Sequence, residues 1–217
     1  FGGMRLRGRQ RQRDAEHRSL ALALAAHPIR IEAPIPGKSL VGIEIPNKAK
    51  SIVGMATLLS DEKFKNSEKP LTVALGRGIN GMANFGNLAK MPHVLVAGAT
   101  GSGKSVTIHS IVTSLLYRNG PDDMRFIMID PKRVELTLYN GVPHLLTPVV
   151  TDAKKAILAL KWAAKEMEQR YGILEACAVR DIQSYHKNVA AEPMPYIVVV
   201  VDELADIMSS YPRELEA

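Results

Sequence analysis

The chain has 217 residues, 46% of them hydrophobic and 23% charged, with a formal net charge of +6. That is the make-up of one or two ordinary globular domains, and it excludes low-complexity, collagen-like and disulfide-rich classes. No apolar run approaches the ~18 residues of a membrane helix, and no secretory leader opens the sequence. Cys177 stands alone, so no disulfide is expected. A reducing, cytoplasmic setting and a small apolar role near a helix end suit it.

The first 20 residues hold six arginines (Arg5, Arg7, Arg9, Arg11, Arg13, Arg18) against Asp14 and Glu16. They account for +4, leaving +2 for the remaining 197 residues. Residues 1–19 therefore read as a basic, solvated arm, and the body is too near neutral to present a broad nucleic-acid surface. From Pro28 to Asn47, Ile29 and Ile31, then Val41, Ile43 and Ile45, alternate about Pro34, Pro36 and Gly37. This predicts two half-buried strands and a turn. A short helix is expected in "KSIVGMATLLSDEKF", and a further strand in "LTVALGRGING". Residues 20–85 are read as a small α+β domain.

Beyond residue 86 the pattern becomes strand–helix–strand, which predicts an α/β fold with a parallel sheet covered by helices. "HVLVAG", 93–98, is the first strand. Ile108, Ile111, Val112, Leu115 and Leu116 form the apolar stripe of the next helix, and Asn119-Gly120-Pro121 stops it. "RFIMID" is the second strand. Thr151 or Asp152 caps a long helix whose apolar face is Ile157, Leu160, Ala164, Met167, Tyr171 and Leu174. "YIVVVVD", apolar on both faces, is the third strand.

Between the first strand and its helix lies G-x-x-x-x-G-K-S: Gly98, Ala99, Thr100, Gly101, Ser102, Gly103, Lys104 and Ser105. Glycines let successive N–H groups converge on phosphate oxygens, and the helix N-terminus adds partial positive charge. Lys104 is placed to reach β- and γ-phosphates and Ser105 to ligate Mg2+, so ATP with Mg2+ is expected. Asp202 ends the third strand, at the edge where α/β sheets bind ligands, as a metal acid; Glu203 can polarise the attacking water. Asp130 ends the second strand on the same edge, followed by Lys132, Arg133 and Glu135 on a loop. Phosphate contact, subunit contact and plain solvation all stay open for that loop. The six histidines and one cysteine lack metal-site spacing, though His93 and His109 flank the loop. Tyr171 and Tyr185 do not make a base-stacking platform.

Together with "IRIEAPIPGKSLVGIEIPN", "IDPKRVEL", "YNGVPHLLTPVVTD" and "YIVVVVDELADIM", these motifs make residues 20–217 resemble the FtsK/SpoIIIE family of double-stranded DNA translocases. The resemblance implies a small α domain, here 20–85, ahead of a RecA-like P-loop domain, here 86–217 and incomplete. It implies a homo-hexameric ring around duplex DNA, ATP at subunit interfaces, Lys104 and Glu203 in catalysis, and a role in chromosome partition at cell division. It also implies strands, a trans-acting arginine and membrane anchors outside these residues, with no membrane contact from this region. An incomplete sheet is expected to expose apolar strand edges and to leave these 217 residues poorly active alone. The other readings are a related secretion or conjugation ATPase, or a segment that binds nucleotide without turnover.

Overall fold

The computed structural model describes residues 19, 23, 29–32, 34–35, 39–45, 51–188 and 193–212. The basic arm lies outside them apart from Ser19, as do Pro28, Pro36, Gly37 and Asn47. The chain divides into two compact units, Phe1–Ile52 and Val53–Ala217.

In the first unit the expected strand pair forms. Strands β1 (Arg30–Glu32) and β2 (Gly42–Glu44) run antiparallel, with Ile31 opposite Ile43. Ile29 is buried. Val41, Ile43 and Ile45 are exposed, contrary to the half-buried expectation. Alternation identifies a strand but does not supply the surface that covers it.

The second unit begins with two short helices where one was expected. Helix α1 (Met55–Leu59) ends at Ser60, and Asp61 starts α2 (Glu62–Lys65) by accepting the Lys63 amide at 2.9 Å. A side chain that caps a new helix interrupts the old one. An antiparallel hairpin comes next, β3 (Thr72–Arg77) with β4 (Ala83–Asn87), its register shifting between Ala74 and Gly76. Beyond it, α3 (Lys104–Arg118) packs along β3. Ser114, fully buried, accepts the Ala74 amide at 3.0 Å, and Ser110 donates to the Ala74 carbonyl at 2.9 Å. Arg118 donates to the carbonyls of Phe64 and Lys69 and stands 5.4 Å from the Phe64 ring centroid. Residues 53–85 thus lie in the same compact unit as the helix that follows the glycine-rich loop. Residues 53–85 hold the helix after the glycine-rich loop by hydrogen bonds no hydropathy pattern displays.

Strands β5 (Met124–Ile129) and β6 (Tyr196–Val201) pair in parallel, from Met124 opposite Tyr196 to Ile129 opposite Val201. Along the other edge of β5 runs 144–150, bridged at Leu145 and Val150, with Val150 donating to Met128 at 2.8 Å. Period-two geometry sends Met124, Phe126 and Met128 toward the α3 side, with Val112 and Leu115. Ile127 and Ile129 face Ile157 of α4 (Ala153–Ala176) and Ile207 of α6 (Leu204–Ser210). Helices thus cover both faces of a parallel sheet. Asp152 caps α4 through the Lys155 amide at 2.9 Å. Ile157 and Leu174 are buried and Leu160 partly so, but Ala164, Met167 and Tyr171 are exposed, so the expected apolar face is covered only in part. Cys177 is a half-buried free thiol at the end of α4, packed near Leu174.

The strand expected at 93–98 does not form. Val94 is 48% and Leu95 85% exposed, and among the described residues no backbone hydrogen bond ties this segment to a neighbour. A strand exists only through its ladder, so propensity alone does not make one here. No described helix is long and apolar enough to cross a membrane.

Candidate nucleotide site

Gly101 (φ 78°) and Gly103 (φ 98°) take left-handed conformations that glycine adopts without strain, and Gly103 caps α3. Ser102 donates its amide to Ala99 at 3.0 Å and folds back so closely that a Cβ on Gly98 would collide with its hydroxyl. The loop is thereby wrapped over the first turn of α3, where free N–H groups and the helix dipole favour an anion. Lys104 and Ser105 are the first two residues of that helix, so both leave the same turn.

Asp202 and Glu203 lie at the carboxyl end of β6, and the structure brings them to the loop. The Lys104 ammonium is 3.4 Å from Glu203 Oε2 and 3.5 Å from the Asp202 carbonyl. Its 3.9 Å separation from Asp202 Oδ1 is an ion-pair distance but too long for a hydrogen bond. That oxygen, on a side chain only 5% exposed, has no hydrogen-bond partner. Burial pushes the Asp202 carboxyl above its ordinary pKa. Lys104 opposes the rise, while the carboxylates of Asp130, Glu135 and Glu203 add to it. Glu203 moves the other way, held low first by the charge of Lys104, then by its hydrogen bond to Lys104 and the charge of Lys132.

The loop after β5, whose role the sequence leaves open, folds back on the end of its strand. Asp130 does not present its carboxylate to a ligand; it is fully buried. Its Oδ1 accepts the Arg133 amide at 2.8 Å, and its Oδ2 accepts the amides of Glu135 and Leu136, both at 2.9 Å. Three amides on one carboxylate fold the loop back, with Arg133 at φ 61°. The fold-back delivers Lys132 to Glu203 at 3.7 Å and to Asp206 at 3.5 Å. It also delivers Glu135 to the Ser105 hydroxyl at 2.8 Å. His109 joins this cluster, 2.8 Å from the Tyr139 hydroxyl and 3.4 Å from Glu135, while His93 makes no described contact with it. Sequence reasoning placed Glu135 on the loop without assigning it this contact. A hydrogen bond to Ser105 across 30 residues leaves no trace in local periodicity.

The FtsK/SpoIIIE family matches residues 55–217, and the FtsK alpha domain matches 9–47, on either side of the division at Ile52/Val53. The chain is 53% identical over 209 residues to the DNA translocase FtsK of Oceanobacillus iheyensis, covering 92% of this chain and 27% of that protein. It is 51% identical over 197 residues to the DNA translocase FtsK of Caldanaerobacter subterraneus subsp. tengcongensis, covering 91% and 28%. The chain thus spans about a quarter of the length of these relatives. Among solved structures, the pCW3 conjugation coupling protein TcpA with ATPγS superposes with a TM-score of 0.63 at 27% identity, over 92% of this chain and 53% of that one. The cytoplasmic domain of the Thermomonospora curvata type VII secretion ATPase EccC gives 0.62 at 20% identity, over 77% and 22%. The parallel sheet between helices is an incomplete RecA-like P-loop fold, and with three quarters of its length matched by one family this chain belongs to the FtsK/SpoIIIE family.

Proposed function

We propose that these residues are the front part of an ATP-driven double-stranded DNA translocase motor. The observation that carries the reading is the approach of Asp202 and Glu203 to Lys104, beside Ser105 at one helix N-terminus, across a sequence separation of 98 residues. Lys104, now neutralised by Glu203, would exchange that partner for the β- and γ-phosphates, and the amides of Gly98–Ser105 would take the remaining phosphate oxygens. With Lys104 drawn away, Glu203 would keep Lys132 and the Ala205 amide and could accept a proton from the attacking water.

A divalent cation fits the remaining donors. The Ser105 hydroxyl lies in the first turn of α3, and Asp202 Oδ1 is a buried oxygen without a hydrogen-bond partner, an expensive arrangement that a cation or its bound water would relieve. Ser105 and Asp202 would hold Mg2+, which would neutralise charge on the phosphates.

The alternative from the same fold is a motor of conjugation or protein secretion, since TcpA and EccC share it. The identity of 51% and 53% to proteins named DNA translocase favours DNA. The near-neutral body suits a ring whose bore, rather than whose whole surface, meets phosphate, so a homo-hexamer is the assembly we expect. The bare 93–98 segment supports low turnover by the 217 residues alone. The cytoplasmic placement of this region and membrane anchoring of the complete protein, in the service of chromosome partition, belong to the same proposal. The test is ATP hydrolysis by the full-length protein with and without duplex DNA, alongside displacement of a third strand from a triplex. Stimulation by duplex together with displacement is expected. Hydrolysis indifferent to duplex DNA overturns the reading.

A further inference from the structure

Ser105 gives its proton to Glu135, not to Asp202. The Oε1 atom of Glu135 accepts the Ser105 hydroxyl at 2.8 Å. The Oε2 atom faces His109 Nε2 at 3.4 Å, and His109 Nδ1 lies 2.8 Å from the Tyr139 hydroxyl. The backbone of Glu135 is held by Asp130 through its own amide. Both carboxylate oxygens and the main chain are therefore anchored, and the acceptor cannot drift from Ser105 without breaking several contacts.

A hydroxyl carries one proton and two lone pairs. Once the proton is committed to a fixed carboxylate, the rotor is set and both lone pairs remain for a cation. A hydrogen bond to an ionised acceptor also makes the serine oxygen a richer donor. Asp202 benefits indirectly. Were it the acceptor of the serine proton, one of its oxygens would be occupied; instead Oδ1 accepts no hydrogen bond at the site.

We propose that Glu135 is a positioning residue for the nucleotide's divalent cation, fixing the Ser105 hydroxyl with its lone pairs turned to the metal and sparing Asp202 for the same ion. This rests on the nucleotide reading above. Glu135 touches neither phosphate nor cation and acts through Ser105.

The experiment measures binding of fluorescent ATPγS to the full-length protein in Mg2+ and in excess EDTA. The ratio of the two dissociation constants reports the cation. Glu135→Met keeps the aliphatic stem and removes both acceptors. It should lower the ratio about tenfold, as loss of an outer partner does elsewhere, with binding in EDTA unchanged. Glu135→Gln retains an oxygen acceptor and should restore most of the ratio. In a Ser105→Ala background, Glu135→Met should have no further effect. The inference is overturned by an unchanged ratio in Glu135→Met, by equal weakening in Mg2+ and EDTA, by a Gln variant as impaired as Met, or by additivity with Ser105→Ala. A wild-type protein whose binding ignores Mg2+ would instead remove the nucleotide–metal reading itself, and this inference with it.

Discussion

Replacing Asp130 tests whether a buried carboxylate, rather than loop propensity, shapes the site. Its two oxygens take three amides: Arg133 on one, Glu135 and Leu136 on the other. Hydrogen bonds to a charged acceptor are worth roughly 1.5–3 kcal/mol each, and buried donors left unpaired cost about 1–3 kcal/mol. Three such losses reach about 6 kcal/mol. Removing a buried charge returns part of that, and the Arg133 amide keeps a second acceptor, the Asp130 carbonyl at 3.2 Å. Asp130→Ala should therefore destabilise the Val53–Ala217 unit by about 4 kcal/mol, a large share of the roughly 5–15 kcal/mol typical of a domain. Asp130→Asn should turn its oxygen to Glu135 and Leu136, sacrifice only the Arg133 contact, and cost about 2 kcal/mol. In urea, with a slope of about 2 kcal/mol per M, the midpoints should fall by about 2 M and about 1 M. Circular dichroism tracks the unfolding, and amide exchange at Glu135 and Leu136 reads the loop directly. A midpoint for Asp130→Ala within about 0.3 M of wild type, with those amides still protected, refutes the reasoning.

Glu203→Gln should leave nucleotide binding intact or slightly tighter, because it discharges Lys104's partner. Turnover should fall by about 100-fold or more, measured as phosphate release; equal loss of binding and hydrolysis would count against a proton-accepting role. Ser114→Ala strands the Ala74 amide on β3 and should cost about 1–2 kcal/mol in thermal or urea unfolding. An unchanged stability would mean that the hairpin does not depend on α3. Asp181 starts α5 (Ile182–Asn188), and hydrogen bonds from Ser184 hold its carboxyl below the ordinary 3.8. A lowered folded pKa gives stability that is present above 3.8 and lost as pH falls through the folded value. The Ser184 amide resonance should therefore titrate with a midpoint under 3.8, and a midpoint at or above it would refute the cap.

What the sequence made legible is the part that repeats locally. The glycine spacing at 98–103 needs only backbone freedom to be read, and the structure has Gly101 and Gly103 at positive φ. The stripe through Val112 and Leu115 comes from helical period, and both are fully buried. The apolar run ending in Asp202 marks a strand whose end carries the acid. The strand at 93–98 failed because its pattern was right but its partner was absent from the described residues. Propensity states what a segment can become; the ladder decides whether it does.

The hidden part of the site has a different origin. Asp130 ends a strand on the ligand-facing edge, as Asp202 does on the neighbouring strand. The two carboxylates differ in the chain immediately beyond them. After Asp202 the chain enters α6, none of whose amides reaches Oδ1, so that oxygen keeps only its 3.9 Å ion-pair contact with Lys104. After Asp130 comes Pro131, which has no N–H, and then a tight loop whose amides have no ladder to join. Those amides take the nearest buried acceptor, so the acid is spent on the backbone. In being spent it sets the next acid, Glu135, against Ser105. The work a strand-end acid does is thus decided by the hydrogen-bond demand of the segment next to it. The same rule makes a checkable distinction here: neutralising Asp130 should cost stability, and neutralising Asp202 should cost cation affinity.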